Sequence, residues 1–185
     1  MKQFYESRNG PTPVMKDDVF VALGANLPGN DGRPPLSTLR EAVRQLDSLP
    51  NLRVARISRW YRSAPVPASD QPDYINAVAA LTVDSKDGVD PAWLLAQLMD
   101  IESAHGRRRS STNAARTLDL DIVAIGGLVR DAPDPILPHP RAHLRRFVMA
   151  PLADVAPDWV HPVLAETAVA ILARLPEAGV IPFEP

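Results

Sequence analysis

The segment Ala115-Arg116-Thr117-Leu118-Asp119-Leu120-Asp121-Ile122-Val123 constrains the fold more than any other stretch of the chain. Two aspartates stand two residues apart inside an apolar run. In an extended strand, side chains at i and i+2 point to one face and the residues between them to the other. The segment therefore predicts a strand with Asp119 and Asp121 side by side and Leu118, Leu120 and Ile122 turned into a core. Two ionised carboxylates at that spacing repel each other, and burying them unpaired is costly. A positive group must stand beside them. A hard divalent cation such as Mg2+, carrying a phosphorylated substrate, suits oxygen ligands of this kind. The plainer alternative has one aspartate capping a turn and the other paired with an arginine.

The flanking segments place this strand in a larger pattern. Val19 to Leu23 is a continuous apolar run ending at Gly24, the mark of a central strand. A helix is expected from Ser37, as N-cap, to Ser48, with Leu39, Val43 and Leu46 at helical spacing. Leu52–Tyr61 alternates and reads as one strand, and Tyr74–Val83 as another. Asp90 and Pro91 open a second helix that runs to Ala104. Leu118–Ile125 is the fourth strand, followed by a short hairpin into Leu128-Val129, and residues 141–156 and 163–175 read as mostly helical. The order β-α-β-β-α-β predicts an α+β, ferredoxin-like sandwich: a mostly antiparallel sheet flanked by helices, with long active-site loops.

At 185 residues, with 45% hydrophobic and 23% charged residues, the chain is expected to form one globular domain over residues 17–185. Residues 1–16 read as a disordered N-terminal extension without the apolar stretch of a signal peptide. A net charge of −2 argues against a dedicated nucleic-acid or membrane-surface protein. The absence of cysteine removes disulfides and thiolate metal sites and suits a reducing cytosol.

Several constellations surround the aspartates. Arg107, Arg108 and Arg109, followed by Arg116, form a basic loop just before them. Such a run alone is usually a solvated surface, but guanidinium groups beside metal-binding carboxylates are what phosphoryl transfer requires. Tyr74 and Asn76 share one strand face and suit a flat heterocycle that is stacked and hydrogen-bonded. His139 and His143 stand at i, i+4, yet no helix-borne H-E-x-x-H accompanies them, so His139 reads better as a phosphate or nucleotide contact than as a zinc ligand. The glycines at 24 and 29 imitate a phosphate-binding loop, but Asn30-Asp31 stands where Lys-Ser/Thr is needed, and that reading is rejected.

Taken in order, these landmarks resemble the 6-hydroxymethyl-7,8-dihydropterin pyrophosphokinase family of folate biosynthesis. The resemblance runs from Val19 to about Leu175 through Val21-Ala22-Leu23-Gly24-Ala25-Asn26-Leu27, Tyr61-Arg62-Ser63, Asp70-Gln71-Pro72-Asp73-Tyr74-Ile75-Asn76, Ile101-Glu102, Gly106-Arg107, Arg116-Thr117-Leu118-Asp119-Leu120-Asp121-Ile122, Pro138-His139, Arg145, Phe147 and Pro151-Leu152. It implies an ATP- and Mg2+-dependent enzyme that transfers the β,γ-pyrophosphoryl group of ATP to the pterin hydroxymethyl group and releases AMP. By the same resemblance Asp119 and Asp121 hold two Mg2+ ions, and Arg107 and Arg116 act on the phosphates. Arg109, Ile122, His139 and Arg145 are implied nucleotide contacts, and Ser63, Val66, Tyr74, Asn76 and Phe147 line the pterin pocket. Loops 25–35, 62–73 and 105–116 are the implied mobile ones, and Ser110 and Asn113 stand where many relatives carry a lysine and a tryptophan. The expected partners are small molecules, without nucleic acid or membrane, and the chain is expected to work as a cytoplasmic monomer. An RNA-binding module on the same sheet is the rival from another class, but its aromatic-rich strand motif is missing. A phosphohydrolase using the same aspartates is the rival among enzymes.

Overall fold

The computed structural model describes residues 18–107, 115–177 and 179–184. The N-terminal extension expected over 1–16 lies outside them, as do Arg109, Ser110 and Asn113. Strand β1 (Val19–Ala25) is buried along almost its whole length, as its unbroken apolar run requires. It pairs antiparallel with β4 (Tyr74–Val83) on one side and β5 (Asp119–Ile125) on the other. The far edge of β4 carries two partners. Its C-terminal part pairs with β2 (Leu52–Ile57) and its N-terminal residues with β3 (Trp60–Ser63). A last strand, β6 (Val180–Phe183), adds to β3. The sheet therefore runs β5-β1-β4-β3-β6, with β2 sharing the edge of β4, and every pairing is antiparallel.

The expected α+β order is present, with its second strand divided in two. The strand anticipated over Leu52–Tyr61 breaks at Ser58-Arg59. There the Ser58 hydroxyl, not a backbone carbonyl, accepts the Val78 N–H at 3.0 Å, while the Ser58 N–H donates to the Val78 carbonyl. A side chain has taken a ladder position, which interrupts the pairing. Arg59 then turns outward to Asp154, whose Oδ1 lies 2.7 Å from Arg59 Nη2.

Helix α1 (Pro35–Asp47) starts two residues earlier than expected, with Pro34 at the cap and no side-chain cap. Pro35 supplies a preset φ at the first helical position, so Ser37 is not needed as a cap. Helix α2 (Pro91–Ala104) is capped as anticipated, with the Asp90 carboxylate accepting the Ala92 N–H at 3.0 Å. The hairpin expected at Leu128-Val129 is instead a tight turn, after which Arg130 pairs with Leu137. In the C-terminal part, a 3-10 turn at Ala142–Leu144 leads into α3 (Arg146–Val155). Only Ala168–Arg174 of the expected 163–175 helix forms α4, because Thr167 caps it by accepting the Ala170 N–H. Strand β6 was not anticipated: it is short, sits at the sheet edge and contains Pro182.

The sheet is covered on both faces. Val21 and Leu23 of β1 and Leu120 and Ile122 of β5 pack with Leu39 and Leu46 of α1 and Leu94 and Leu98 of α2. Phe20, Val78 and Val123 pack on the opposite face with Met149, Leu152 and Val155 of α3, Ile171 of α4, and Trp159. Period-2 alternation thus sends Leu118, Leu120 and Ile122 to the α1/α2 side, as expected, and leaves Asp119 and Asp121 on the α3 side at the start of β5.

Phe20 is fully buried, and its ring meets Trp159 edge-on with centroids 5.8 Å apart. Phe20→Ala should destabilise the protein by about 3–5 kcal/mol in urea unfolding. A loss below about 1 kcal/mol would contradict this placement of the second core.

Candidate active site

Asp119 and Asp121 open into a cavity of about 280 Å3 at one end of the sheet. Its wall is built from the end of β1, the start of β4 and β5, the loop after β3, and the turn that leads into α3. Ser63, Val66, Tyr74, Asn76, Arg107, Arg116, His139, Arg145 and Phe147 all line it together with the two aspartates. The sequence-predicted residues therefore converge from five separate stretches of chain.

The charge that Asp119 requires comes from arginine. Arg107 Nη1 lies 2.8 Å from Asp119 Oδ1, and Arg116 Nη1 lies 2.5 Å from Asp119 Oδ2. Arg107 also forms an ion pair with Glu102, a carboxylate only 3% exposed at the end of α2. Glu102 accepts the Leu120 N–H at 2.8 Å, so it braces the strand between the two aspartates as well as the arginine. Burial pushes its carboxyl up to about 7, against the pull of the Leu120 amide and Arg107. Asp119 Oδ1 is buried and accepts no hydrogen bond despite the nearby Arg107. An oxygen of that kind, beside a second carboxylate facing the same cavity, is a donor set that fits a hard divalent cation.

Asp121 faces His139, with Oδ2 4.0 Å from Nε2. Burial raises the Asp121 pKa, and the Asp119 charge raises it further. Burial lowers that of His139. The His139 ring is oriented from behind: its Nδ1 accepts the Arg141 N–H at 3.1 Å, and its own backbone N–H donates to the Val123 carbonyl at 2.8 Å. With Nδ1 accepting, the neutral ring carries its proton on Nε2, toward Asp121. Arg145 stands alongside, its guanidinium carbon 5.6 Å from the centre of the Phe147 ring.

The other half of the cavity is less charged. Asn76 Nδ2 donates to Ser63 Oγ at 2.9 Å, which holds the amide in one orientation. Gly24 of β1 lines the same region, and a Cβ there would make ordinary contact with Asn76 Oδ1 at 3.4 Å and the Tyr74 ring at 3.9 Å. An aromatic ring beside a fixed amide, in a cavity that Phe147 also lines, fits a flat hydrogen-bonding ligand.

The Ile122 side chain is buried in the α1/α2 core, because period 2 turns it away from the aspartates, so only its main chain is available to a ligand. Arg109 lies outside the described residues. His139 and His143 do not face each other; the His143 ring lies edge-on to His161 at 5.5 Å instead. Two residues whose roles were not foreseen matter here. Arg141 lines the cavity. Asn26, 2% exposed, joins three loops. Its Oδ1 accepts the Arg116 N–H at 2.7 Å, and its Nδ2 donates to the Pro72 carbonyl at 3.1 Å and to Gln71 Oε1 at 3.2 Å. The Asn26 and Leu27 amides both donate to the Arg116 carbonyl at 3.0 Å. In the sequence this joint shows only as a polar residue directly after a buried strand, within the Val21–Leu27 landmark.

Comparison with known proteins identifies the family and the fold. Residues 20–157 match the family model of 7,8-dihydro-6-hydroxymethylpterin-pyrophosphokinase. A Synechocystis protein named 2-amino-4-hydroxy-6-hydroxymethyldihydropteridine pyrophosphokinase is 37% identical over 173 residues, covering 94% of this chain and 84% of the relative. A Pseudomonas aeruginosa protein of the same name is 39% identical over 140 residues, covering 76% of this chain and 81% of the relative. Among solved structures, wild-type HPPK-DHPS of Plasmodium falciparum superposes with a TM-score of 0.63 at 12% identity. That match covers 85% of this chain and 44% of the longer one, and shows a shared fold. The chain belongs to the 7,8-dihydro-6-hydroxymethylpterin-pyrophosphokinase family.

Asn26→Ala should cost about 1–3 kcal/mol in urea unfolding, since it strips the acceptor from the Arg116 amide and the donor from the Pro72 carbonyl. A change below about 0.5 kcal/mol would show that the three loops are held by other contacts.

Proposed function

We propose that this protein transfers the β,γ-pyrophosphoryl group of ATP to the hydroxymethyl group of 6-hydroxymethyl-7,8-dihydropterin, giving the pterin diphosphate and AMP for folate biosynthesis. The observation that carries this reading is the single cavity in which an aspartate pair and several guanidiniums adjoin an aromatic and amide wall. Membership of the family supports the same activity. No helix among the described residues is long and apolar enough to cross a membrane. Work on small molecules by a cytoplasmic monomer is part of the proposal.

The acceptor hydroxyl oxygen attacks the β-phosphorus, the α–β bridging bond breaks, and AMP leaves with the bridging oxygen while the hydroxyl proton is lost. Asp119 and Asp121 are the residues to hold Mg2+, which when bound neutralises phosphate charge. Arg107 and Arg116, both within ion-pair distance of Asp119, are placed to turn to phosphate oxygens when the nucleotide fills the cavity. Glu102 pairs with Arg107 from the α2 side of the site. Tyr74, Asn76 and Phe147 orient the pterin so that its hydroxymethyl group meets the phosphate chain, and holding two reactants in register lowers the barrier without covalent chemistry. His139 and Arg145 flank the nucleotide side, with His139 held in one tautomer by Arg141.

The test is AMP production from ATP and Mg2+ with and without the pterin alcohol. Pterin-dependent AMP is expected, and phosphate release that ignores the pterin would favour a phosphohydrolase. Asp119→Ala and Asp121→Ala should each reduce turnover at least about a hundredfold while the unfolding transition stays cooperative. Near-normal turnover in either variant would refute the roles given to the pair.

A further inference from the structure

The cationic groups around the cavity fall into two sets. Arg107 and Arg116 already have Asp119 within ion-pair distance. Arg141 and Arg145 have no carboxylate partner among the described residues. Both nonetheless line the cavity, next to His139. Burial pushes the Arg145 pKa down and the Arg141 charge adds to the effect, so the two guanidiniums repel across this rim. Among the described residues Asp119 and Asp121 are the acidic groups lining the cavity; Asp119 is held by the other two arginines and Asp121 faces His139.

The backbone at Arg141 is held firmly. Its N–H donates to His139 Nδ1, and the Ala142 N–H that follows donates to the His139 carbonyl at 3.1 Å. The Arg141 side chain is exposed, yet it leaves from a fixed turn beside the phosphate-binding half of the cavity. Two adjacent guanidiniums without acidic partners, on a rigid rim, call for an anion with more than one charge.

We propose that Arg141 is a nucleotide-binding residue that pairs with the polyphosphate chain, so that its contribution grows with the number of phosphates on the ligand. This rests on the ATP-dependent reading above. Because the guanidinium sits at an exposed rim, its effect is sensitive to salt. The backbone N–H that orients His139 survives any change of the side chain, so substitution isolates the charge.

The experiment measures Kd for ATP with Mg2+, for AMP, and for the pterin alcohol separately by calorimetry, in wild type, Arg141→Ala and Arg141→Lys. At low salt, Arg141→Ala should weaken ATP binding about tenfold and AMP binding about twofold or less, with pterin affinity and thermal midpoint unchanged. Arg141→Lys should recover most of the ATP affinity, and the loss in Arg141→Ala should shrink as salt is raised. An ATP affinity equal to wild type in Arg141→Ala would overturn this assignment and leave the pyrophosphokinase reading intact. Equal weakening of ATP and AMP would also overturn it, since it would place the side chain on the nucleoside. A wild-type protein that binds no ATP would overturn both.

Discussion

Everything at the active end of this molecule follows from the need to keep a carboxylate pair charged inside a sheet. Asp119 and Asp121 cannot both be buried and bare. The chain meets that requirement with two arginines on Asp119 and an imidazole facing Asp121. The plainer expectation for the pair, an arginine partner, and the chemical one, a metal site, are compatible here. The arginine contacts are to both oxygens of Asp119, and one of those oxygens accepts no hydrogen bond. The guanidiniums serve as counter-charges for the folded protein.

Glu102 extends this arrangement into the scaffold. A carboxylate at the end of α2 reaches the Leu120 amide between the two aspartates and the Arg107 guanidinium at once. Helix packing, strand position and site charge are therefore not independent. A shift of α2 against β5 would be felt at Arg107.

Much of the fold was legible because its signals are local. The alternation through Leu118, Asp119, Leu120, Asp121 and Ile122 specifies a strand and its two faces, and Asp90-Pro91 specifies a helix start. Where reading failed, a non-local partner decided the matter. The break at Ser58 depends on Val78 and Asp154, and β6 exists because β3 leaves an edge open. The candidate site was legible where residue chemistry was unusual for its surroundings, as at Asp119, Asp121, Tyr74 and Asn76. The roles of Asn26 and Arg141 are not legible in the sequence because they lie in what the two side chains and backbones meet in space. Ile122 shows both kinds of signal at once: alternation turns its side chain into the α1/α2 core, as expected, so the nucleotide contact that the resemblance implies for it is one its main chain would make.

The most direct test of this account is a crystal structure of the protein with Mg2+, a non-cleavable ATP analogue and the pterin alcohol. We expect the cation on Asp119 and Asp121, Arg107 and Arg116 on phosphate oxygens, and the pterin between Tyr74 and Phe147 with a hydrogen bond to Asn76. A cation bound away from the two aspartates, with Asp119 still paired to both arginines while nucleotide fills the cavity, would contradict it.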